Sequence, residues 1–398
     1  MNKRWVKFPE VLFFQEGPGV RNTQYTSEGV KLLNVANLVN GKVDISNSDR
    51  FISRDEAYGK YKHFLCDNGD FIVASSGIKV EYIDKKMGFI DKSMLPLCMN
   101  TSTIRFKVLN SKELNIRYFM YYLKSRHFKL QLAKQITGSA QLNYGPSHLK
   151  DMCIPIVDIY IQNNIVEILD KIQNIIDTYE VKIEKLDILV KARFVEMFGG
   201  RGKVVLLTNY VWFQEGPGVR SVDFAVEGIN LLTGSNINDN ELSFGYKSDR
   251  FISNELANGK YAHFMCDKDD ILVVSSAIAP EKFDQKVAIV EEDKKYCLNT
   301  GIIRFKPNRE VMTLGYFREF LKTDYFKHQV MAEMRGIAQM HFGPSHLKQM
   351  TILLPESMEQ QIEFEKFITQ VNKSKVEVKK ALDEAQLLFD SLMQKYFG

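Results

Sequence analysis

The 398-residue chain has no apolar stretch of the roughly 18 or more residues that a membrane-crossing helix needs. Its opening Met1-Asn2-Lys3-Arg4 is not followed by the apolar run of a secretory leader, so a cytoplasmic protein is expected. Cysteine is scarce and odd in number: Cys66, Cys98, Cys153, Cys266 and Cys297, with no C-x-x-C pair. That spacing argues against a disulfide framework or a metal site, and buried thiols of a reducing compartment are expected. There is no G-x-x-x-x-G-K-[ST] loop for nucleotide phosphates, no H-E-x-x-H for zinc and no [ND]-P-P-[FY] of an amino-methyltransferase. The seven histidines lack metal-ligand spacing. Asp284, Glu291, Glu292 and Lys294 invite a nuclease centre, but the first half of the chain has no counterpart, so a solvated surface is expected. The chain alone is therefore expected to be no enzyme, to hold no metal and to bind no cofactor. A formal net charge of +4 is too small to hold nucleic acid by net charge; local basic patches or other subunits would have to supply it.

What is present is said twice. Phe14-Gln15-Glu16-Gly17-Pro18-Gly19-Val20-Arg21 returns as Phe213-Gln214-Glu215-Gly216-Pro217-Gly218-Val219-Arg220, 199 residues later. Ser48–Ser53 returns as Ser248–Ser253, and Gly145-Pro146-Ser147-His148-Leu149-Lys150 as Gly343-Pro344-Ser345-His346-Leu347-Lys348. A period near 200 residues is far beyond the roughly 20–50 of solenoids and matches a whole domain, so the chain is a tandem duplication. Internal pseudo-twofold symmetry suits a partner that is itself roughly twofold, and duplex DNA is the obvious candidate.

Within each copy a mixed segment precedes a helical one. Strands are expected at Gly29–Val35, Asp70–Ser75 and Thr103–Val108, and in the second copy at Asp270–Ser275 and Thr300–Lys306. One helix each is expected over Ile116–Lys134 and Leu314–Glu333. After Pro155, Ile165, Leu169, Ile172, Ile176, Tyr179, Ile183, Leu186 and Val190 follow a 4-3 spacing, the a/d seam of a coiled coil. After Pro355, Phe364, Ile368, Val371, Lys375, Val378, Leu382, Ala385, Phe389 and Leu392 repeat it, with Lys375 a polar a-position that sets register. Helices over Asp158–Phe198 and Ser357–Phe397 are expected to pack antiparallel on each other. The fold class is mixed α/β: two similar globular domains at 1–155 and 201–354, joined by helical spacers at 156–200 and 355–398.

Three repeated polar blocks are the candidate DNA-binding elements. Gly17-Pro18-Gly19 is expected to form an exposed turn displaying Gln15 and Arg21, with Gln214 and Arg220 in the second copy. Gln and Arg can pair bidentately with adenine and guanine in the major groove; the alternative is a structural turn whose Arg pairs with the neighbouring Glu. Gln141, Asn143 and Tyr144, matched by Gln339 and His341 with Phe342, sit in a glycine-rich connection, and Lys150 and Lys348 follow it where phosphates could be positioned. That segment could equally be a packed joint. Ser75-Ser76 and Ser275-Ser276 end a strand, which suits contacts to phosphate. His63, His148, His263 and His346 are isolated at repeated positions, structural or DNA-facing rather than ligands.

Over essentially its full length the chain resembles the specificity subunit of type I restriction-modification enzymes. Asp70–Gly77 and Asp270–Ala277 resemble that family's strand ending in Ser-Ser-Gly. Leu97–Thr101 and Cys297–Thr300 stand where it has an Asn-Gln pair; the threonines at 101 and 300 depart from it, and no base-reading role is carried over there. Gly138–Pro155 and Gly336–Pro355 resemble its Gly-Ser-x-Gln…Leu-Lys…Ile-Pro ending, although Gly336-Ile337 lacks the hydroxyl of Gly138-Ser139. The resemblance implies that each domain reads one half of a bipartite, near-palindromic target and that the helices fix the separation of the halves. It also implies that two modification subunits dock on the helices, bind S-adenosylmethionine and methylate adenine, and that motor-nuclease restriction subunits can join. A free-standing DNA-binding regulator and a duplicated protein-binding scaffold are the other classes that fit the sequence.

Overall fold

Each copy opens and closes on one short pair of strands. Arg4–Lys7 runs antiparallel to Cys153–Ile156, and Lys203–Leu206 antiparallel to Thr351–Leu354. Each closing strand leads into a long helix, Ile159–Phe198 after the first and Met358–Phe397 after the second, 40 residues each. The residues just before them, Asp158 and Ser357, accept from the backbone N–H groups of Tyr160 (2.8 Å) and Gln360 (3.3 Å), so each helix starts on a side-chain cap. The computed structural model describes residues 3–47, 49–135, 142–245, 247–332 and 340–398. It divides into two compact units, Met1–Glu180 with Lys380–Gly398, and Val181–Lys379. Among the described residues no helix is long and apolar enough to cross a membrane.

The core of each unit is a four-stranded antiparallel sheet. In the first, the order is Leu12–Glu16, Thr103–Val108, Phe71–Ala74, Met87–Phe89; in the second it is Val211–Glu215, Ile302–Pro307, Ile271–Val274, Val287–Ile289. Phe71–Ala74 and Ile271–Val274 are buried at every residue, which is why they read as continuous apolar runs. A smaller sheet pairs Val30–Leu33 in parallel with Leu97–Met99 and antiparallel with Phe51–Ile52. Its counterpart gains an edge strand, Phe224–Ala225.

The helix expected over Ile116–Lys134 is two helices, Ile116–Lys124 and Arg126–Gln135. Ser125 between them is extended (φ −69°, ψ 151°), and its hydroxyl accepts from Phe128 N, capping the second helix. The second copy breaks the same way, into Leu314–Leu321 and Asp324–Ala332, with Thr323 accepting from Phe326 N.

The apolar stripes of the long helices are buried toward the helix ends, and half-buried between them at Tyr179, Ile183, Leu186, Leu382 and Ala385. In the first unit Ile165, Leu169, Ile172 and Ile176 share a core with Phe389, Met393, Tyr396 and Phe397. In the second, Val190, Phe194 and Phe198 share one with Phe364, Ile368 and Val371. The direction of pairing is visible inside the second unit. Asp187 meets Lys375 at 2.7 Å and Arg193 meets Glu363 at 2.8 Å, so one helix ascends as the other descends. The polar a-position Lys375 thus finds an acid on the facing helix, a contact that favours one register.

Candidate nucleic-acid interface

A buried arginine organises each domain beneath its repeated motifs. Arg105 Nη1 donates to Leu65 O (2.8 Å) and Asp70 Oδ2 (3.1 Å), and Nη2 donates to His63 O (2.9 Å) and Gln15 Oε1. Arg304 repeats all four contacts, with Met265 O (2.7 Å), Asp270 Oδ2 (3.2 Å), His263 O (2.8 Å) and Gln214 Oε1 (2.7 Å). Gln15 and Gln214 lie on strands, half-buried, with their amide oxygens occupied; they are not displayed beside the turn as the sequence implied. The reason is the antiparallel register, which sets Gln15 opposite Arg105 and Gln214 opposite Arg304 on neighbouring strands. His63 and His263 lend backbone carbonyls to the same network. Neither Arg105 nor Asp70 was singled out from sequence as a functional pair. The signal was there, in a charged residue at the same place within two otherwise apolar strand pairs.

The Gly-Pro-Gly turn is pressed against the strand-end asparagine. A β-carbon at Gly17 would stand 2.1 Å from Asn100 O, and one at Gly216 2.2 Å from Asn299 O, so only glycine fits. Asn100 Oδ1 accepts from Val20 N (3.3 Å) and Thr101 N (2.8 Å), and Asn299 Oδ1 from Val219 N (3.4 Å) and Thr300 N (2.9 Å). Asn100 and Asn299 therefore shape the turn. Beyond it Arg21 and Arg220 are exposed. Glu16 pairs with neither of them: its carboxylate accepts from Ser75 Oγ (3.5 Å) and stands beside Gly145.

The other two motifs come together on one edge. Asn143 is registered opposite Ser76, and His341 opposite Ser276. Ser76 Oγ bonds Ser102 Oγ at 2.6 Å, whereas Ser276 Oγ meets His341 Nδ1 at 2.9 Å. Asn143, His341, Thr101 and Thr300 are exposed there, and Lys150 and Lys348 are exposed on the segment that follows. Ser75, Ser275 and Tyr144 sit inside. Ser75 is fully buried, and Tyr144, whose hydroxyl donates to Ala74 O at 3.0 Å, is pushed up from the usual tyrosine range by burial. Their inward placement follows from the strand pleat, which turns alternate residues of Ser75-Ser76 and Asn143-Tyr144 to opposite faces. Gln141 and Gln339 lie outside the described residues. His148 Nδ1 accepts from Gly145 N and His346 Nδ1 from Gly343 N, both at 3.1 Å, which closes the connection onto itself and holds the imidazole as an acceptor.

The remaining chemistry is quiet. Cys66, Cys98, Cys266 and Cys297 are free and buried, and burial pushes the Cys98 and Cys297 thiols up to about 12, away from reactivity. Asp284 is bound by Lys191 and Glu292 by Lys295, and Lys294 reaches Asp267 at 2.5 Å, so the acidic cluster is divided among surface ion pairs. The two lysines on Asp267, Lys294 and Lys306, hold its carboxyl at about 2. Among the described residues no group of His, Cys, Asp and Glu could hold a metal ion.

Residues 25–213 match the model of the type I restriction modification DNA specificity domain. The MjaVIII type I restriction enzyme specificity subunit of Methanocaldococcus jannaschii is 26% identical over 186 residues, 46% of this chain and 42% of that protein. The chain thus matches about two-fifths of the length of this curated relative. The S subunit of a type I restriction-modification system from M. genitalium aligns over 100% of this chain and 96% of its own, at 17% identity and a TM-score of 0.53. A chain solved for the complex assembly and conformational transition of the type I R-M system covers 99% of this chain and 97% of its own, at 15% identity and a TM-score of 0.54. At such identities these two likenesses speak for the fold: mixed α/β domains with long helices.

Proposed function

We propose that this chain is a type I restriction-modification specificity subunit, built around the DNA specificity domain that residues 25–213 match, and that it reads a bipartite DNA target and directs adenine methylation there. The observation that carries the proposal is repeated in both copies: Ser76 and Asn143, or Ser276 and His341, are paired on one sheet edge, and Arg21 or Arg220 is exposed beyond the Gly-Pro-Gly turn. Each edge takes one half-site in the major groove, with Lys150 or Lys348 on flanking phosphates. The subunit is non-catalytic. Methyl transfer from S-adenosylmethionine belongs to two modification subunits, and restriction subunits join them for cleavage. The long helices hold the half-sites a fixed distance apart; 40 residues at 1.5 Å per residue extend about 60 Å. They also carry a second apolar stripe off the seam that supports the docking of partners. Ile168 and Ile175 in the first unit are exposed, as are Ile188 and Val195 in the second, each pair seven residues apart.

Co-expression with a modification subunit, followed by methylome sequencing, tests the proposal. The expected result is N6-methyladenine in two short half-sites separated by a spacer of fixed length. Methylation at a single contiguous motif, or none above the level of the modification subunit alone, overturns it.

A further inference from the structure

In the first domain an open groove of about 440 Å³ lies beside the reading edge. It is lined by Val39 and Asn40 at a hairpin tip, by Gly77 and Ile78, and by Lys79, Tyr82, Lys85 and Lys86. The hairpin is fixed in place, since Asn40 and Gly41 both have positive φ and Gly41 N donates to Lys85 O at 3.1 Å. Gly77 follows Ser76, the residue registered opposite Asn143, so the groove continues directly from the edge. Among the described residues none of the three lysines is in an ion pair, and the nearby Asp84 is engaged by Lys129 at 3.0 Å. Three ammonium groups around one concavity repel each other unless an anion joins them.

We propose that this groove is a binding site for the phosphate backbone of duplex DNA, next to the bases read by the first domain, and that the second domain has no equivalent. The proposal rests on the DNA-reading function above and adds a contact and an asymmetry to it. The aligned positions of the second copy are Ala279, Lys282, Gln285 and Lys286. Of these Lys286 is turned inward, donating to Ile237 O and Asn238 Oδ1, both at 2.7 Å. Tyr82, about half exposed, stands 5.7 Å from Lys85 Nζ and gives the rim a flat apolar surface for the sugar.

The test uses the chain complexed with its modification subunit and duplexes bearing the methylated target or random sequence, titrated between 50 and 200 mM salt. In K79A/K85A/K86A, log Kd against log salt should lose a slope of roughly 2–3, with affinity weakened about tenfold or more on both duplexes and the methylated sequence unchanged. K79R/K85R/K86R should keep the wild-type slope, which separates lost charge from lost fold. A279K/Q285K should raise the slope by about 1–2. An unchanged slope in the alanine variant overturns the groove, as does a changed methylated sequence at constant slope. Displacement of the duplex by millimolar inorganic phosphate at constant ionic strength would also overturn it, in favour of a free-anion site. Loss of sequence-specific binding in the wild-type complex would sink the function itself; specific binding by the wild type with an indifferent alanine variant sinks only the groove.

Discussion

Arg105 and Arg304 make the same four contacts in the two copies, yet at the edge Ser76 bonds Ser102 in one while Ser276 bonds His341 in the other. The same division recurs around them. A β-carbon at Gly17 or at Gly216 would meet an asparagine carbonyl at almost the same distance, but Asn143 faces His341 and Lys79 faces Ala279 across the alignment. The buried support is therefore shared, as are the exposed Arg21 and Arg220, while Asn143 and His341, which differ, are exposed at the edge. The strongest sequence repeat, Gln-Glu-Gly-Pro-Gly-Val-Arg, serves mainly to build a platform. If reading is done by the residues that differ, the half-sites of the target will be less alike than the shared motifs imply.

The comparison is broken most severely through the helices. Ile172→Asp with Ile176→Asp places two charges in the core of the first unit, at a cost well above about 5 kcal/mol if the seam stays closed. Hydrogen exchange should show the first unit opened and the second protected, and co-purification with a modification subunit should fail. The mirror variant, Ile368→Asp with Val371→Asp, should exchange the two outcomes. Wild-type exchange in either variant removes the helix seam as the common support.

Next in size come the buried arginines. Arg105→Met leaves buried Asp70 with only the partly exposed Lys107 as counter-ion (3.0 Å), and Arg304→Met leaves Asp270 with Lys306 (3.3 Å), so each should cost about 2–3 kcal/mol, less than a fully isolated buried charge. Equal losses, within about 1 kcal/mol by denaturant melts, would establish that the platforms are equivalent. A small loss in one copy would show that its arginine has been replaced as the organising residue.

Exchange of the edges addresses specificity itself. Asn143→His with Ser102→Gly gives the first copy the polar edge of the second, and the first half of the methylated motif should shift toward the second half. The discrimination at stake is about 1–3 kcal/mol per base contact. Arg21→Ala should relax the same half by a similar amount if that exposed side chain pairs with guanine. An unaltered motif in both variants would move base reading away from this edge.

Much of this arrangement was legible in the sequence, for identifiable reasons. The heptad spacing after Pro155 and Pro355 foretold buried stripes, because a 4-3 pattern makes sense only against another helix. The core strands were legible because an apolar run bounded by Asp and Ser has few other readings. Gln15 was not, since its fate depends on a strand partner 90 residues away that no local pattern reveals. Ser75 and Tyr144 were misplaced for a related reason: a slip of one residue along a strand exchanges inside for outside. The break at Ser125 was hidden because the apolar spacing continues through it.

The smallest difference between the copies is also the most informative about how they drifted apart. Each edge needs two residues in the left-handed region, and each copy supplies one glycine. In the first copy they are Gly77 (φ 73°) and Ser102 (φ 69°); in the second they are Ala277 (φ 57°) and Gly301 (φ 80°). The backbone has kept the conformation while the glycine has moved from one position to the other. A left-handed alanine costs about 1–2 kcal/mol, and replacing it with glycine gives back about 0.4–1 kcal/mol through the freer unfolded chain. Ala277→Gly should therefore stabilise the second unit by roughly 0.5–1 kcal/mol. Gly77→Ala should destabilise the first by about as much, since a β-carbon there meets no atom within 4 Å and the dihedral cost is offset only by the stiffer unfolded chain. Paired denaturant melts would resolve the two signs. If both substitutions are neutral, the left-handed turns are not held under strain, and the exchange of glycines reflects nothing about the edge. If the signs come out opposed as expected, each domain has accepted one strained residue to keep the same edge geometry, evidence that the geometry of the edge, more than the identity of its side chains, has been preserved between the copies.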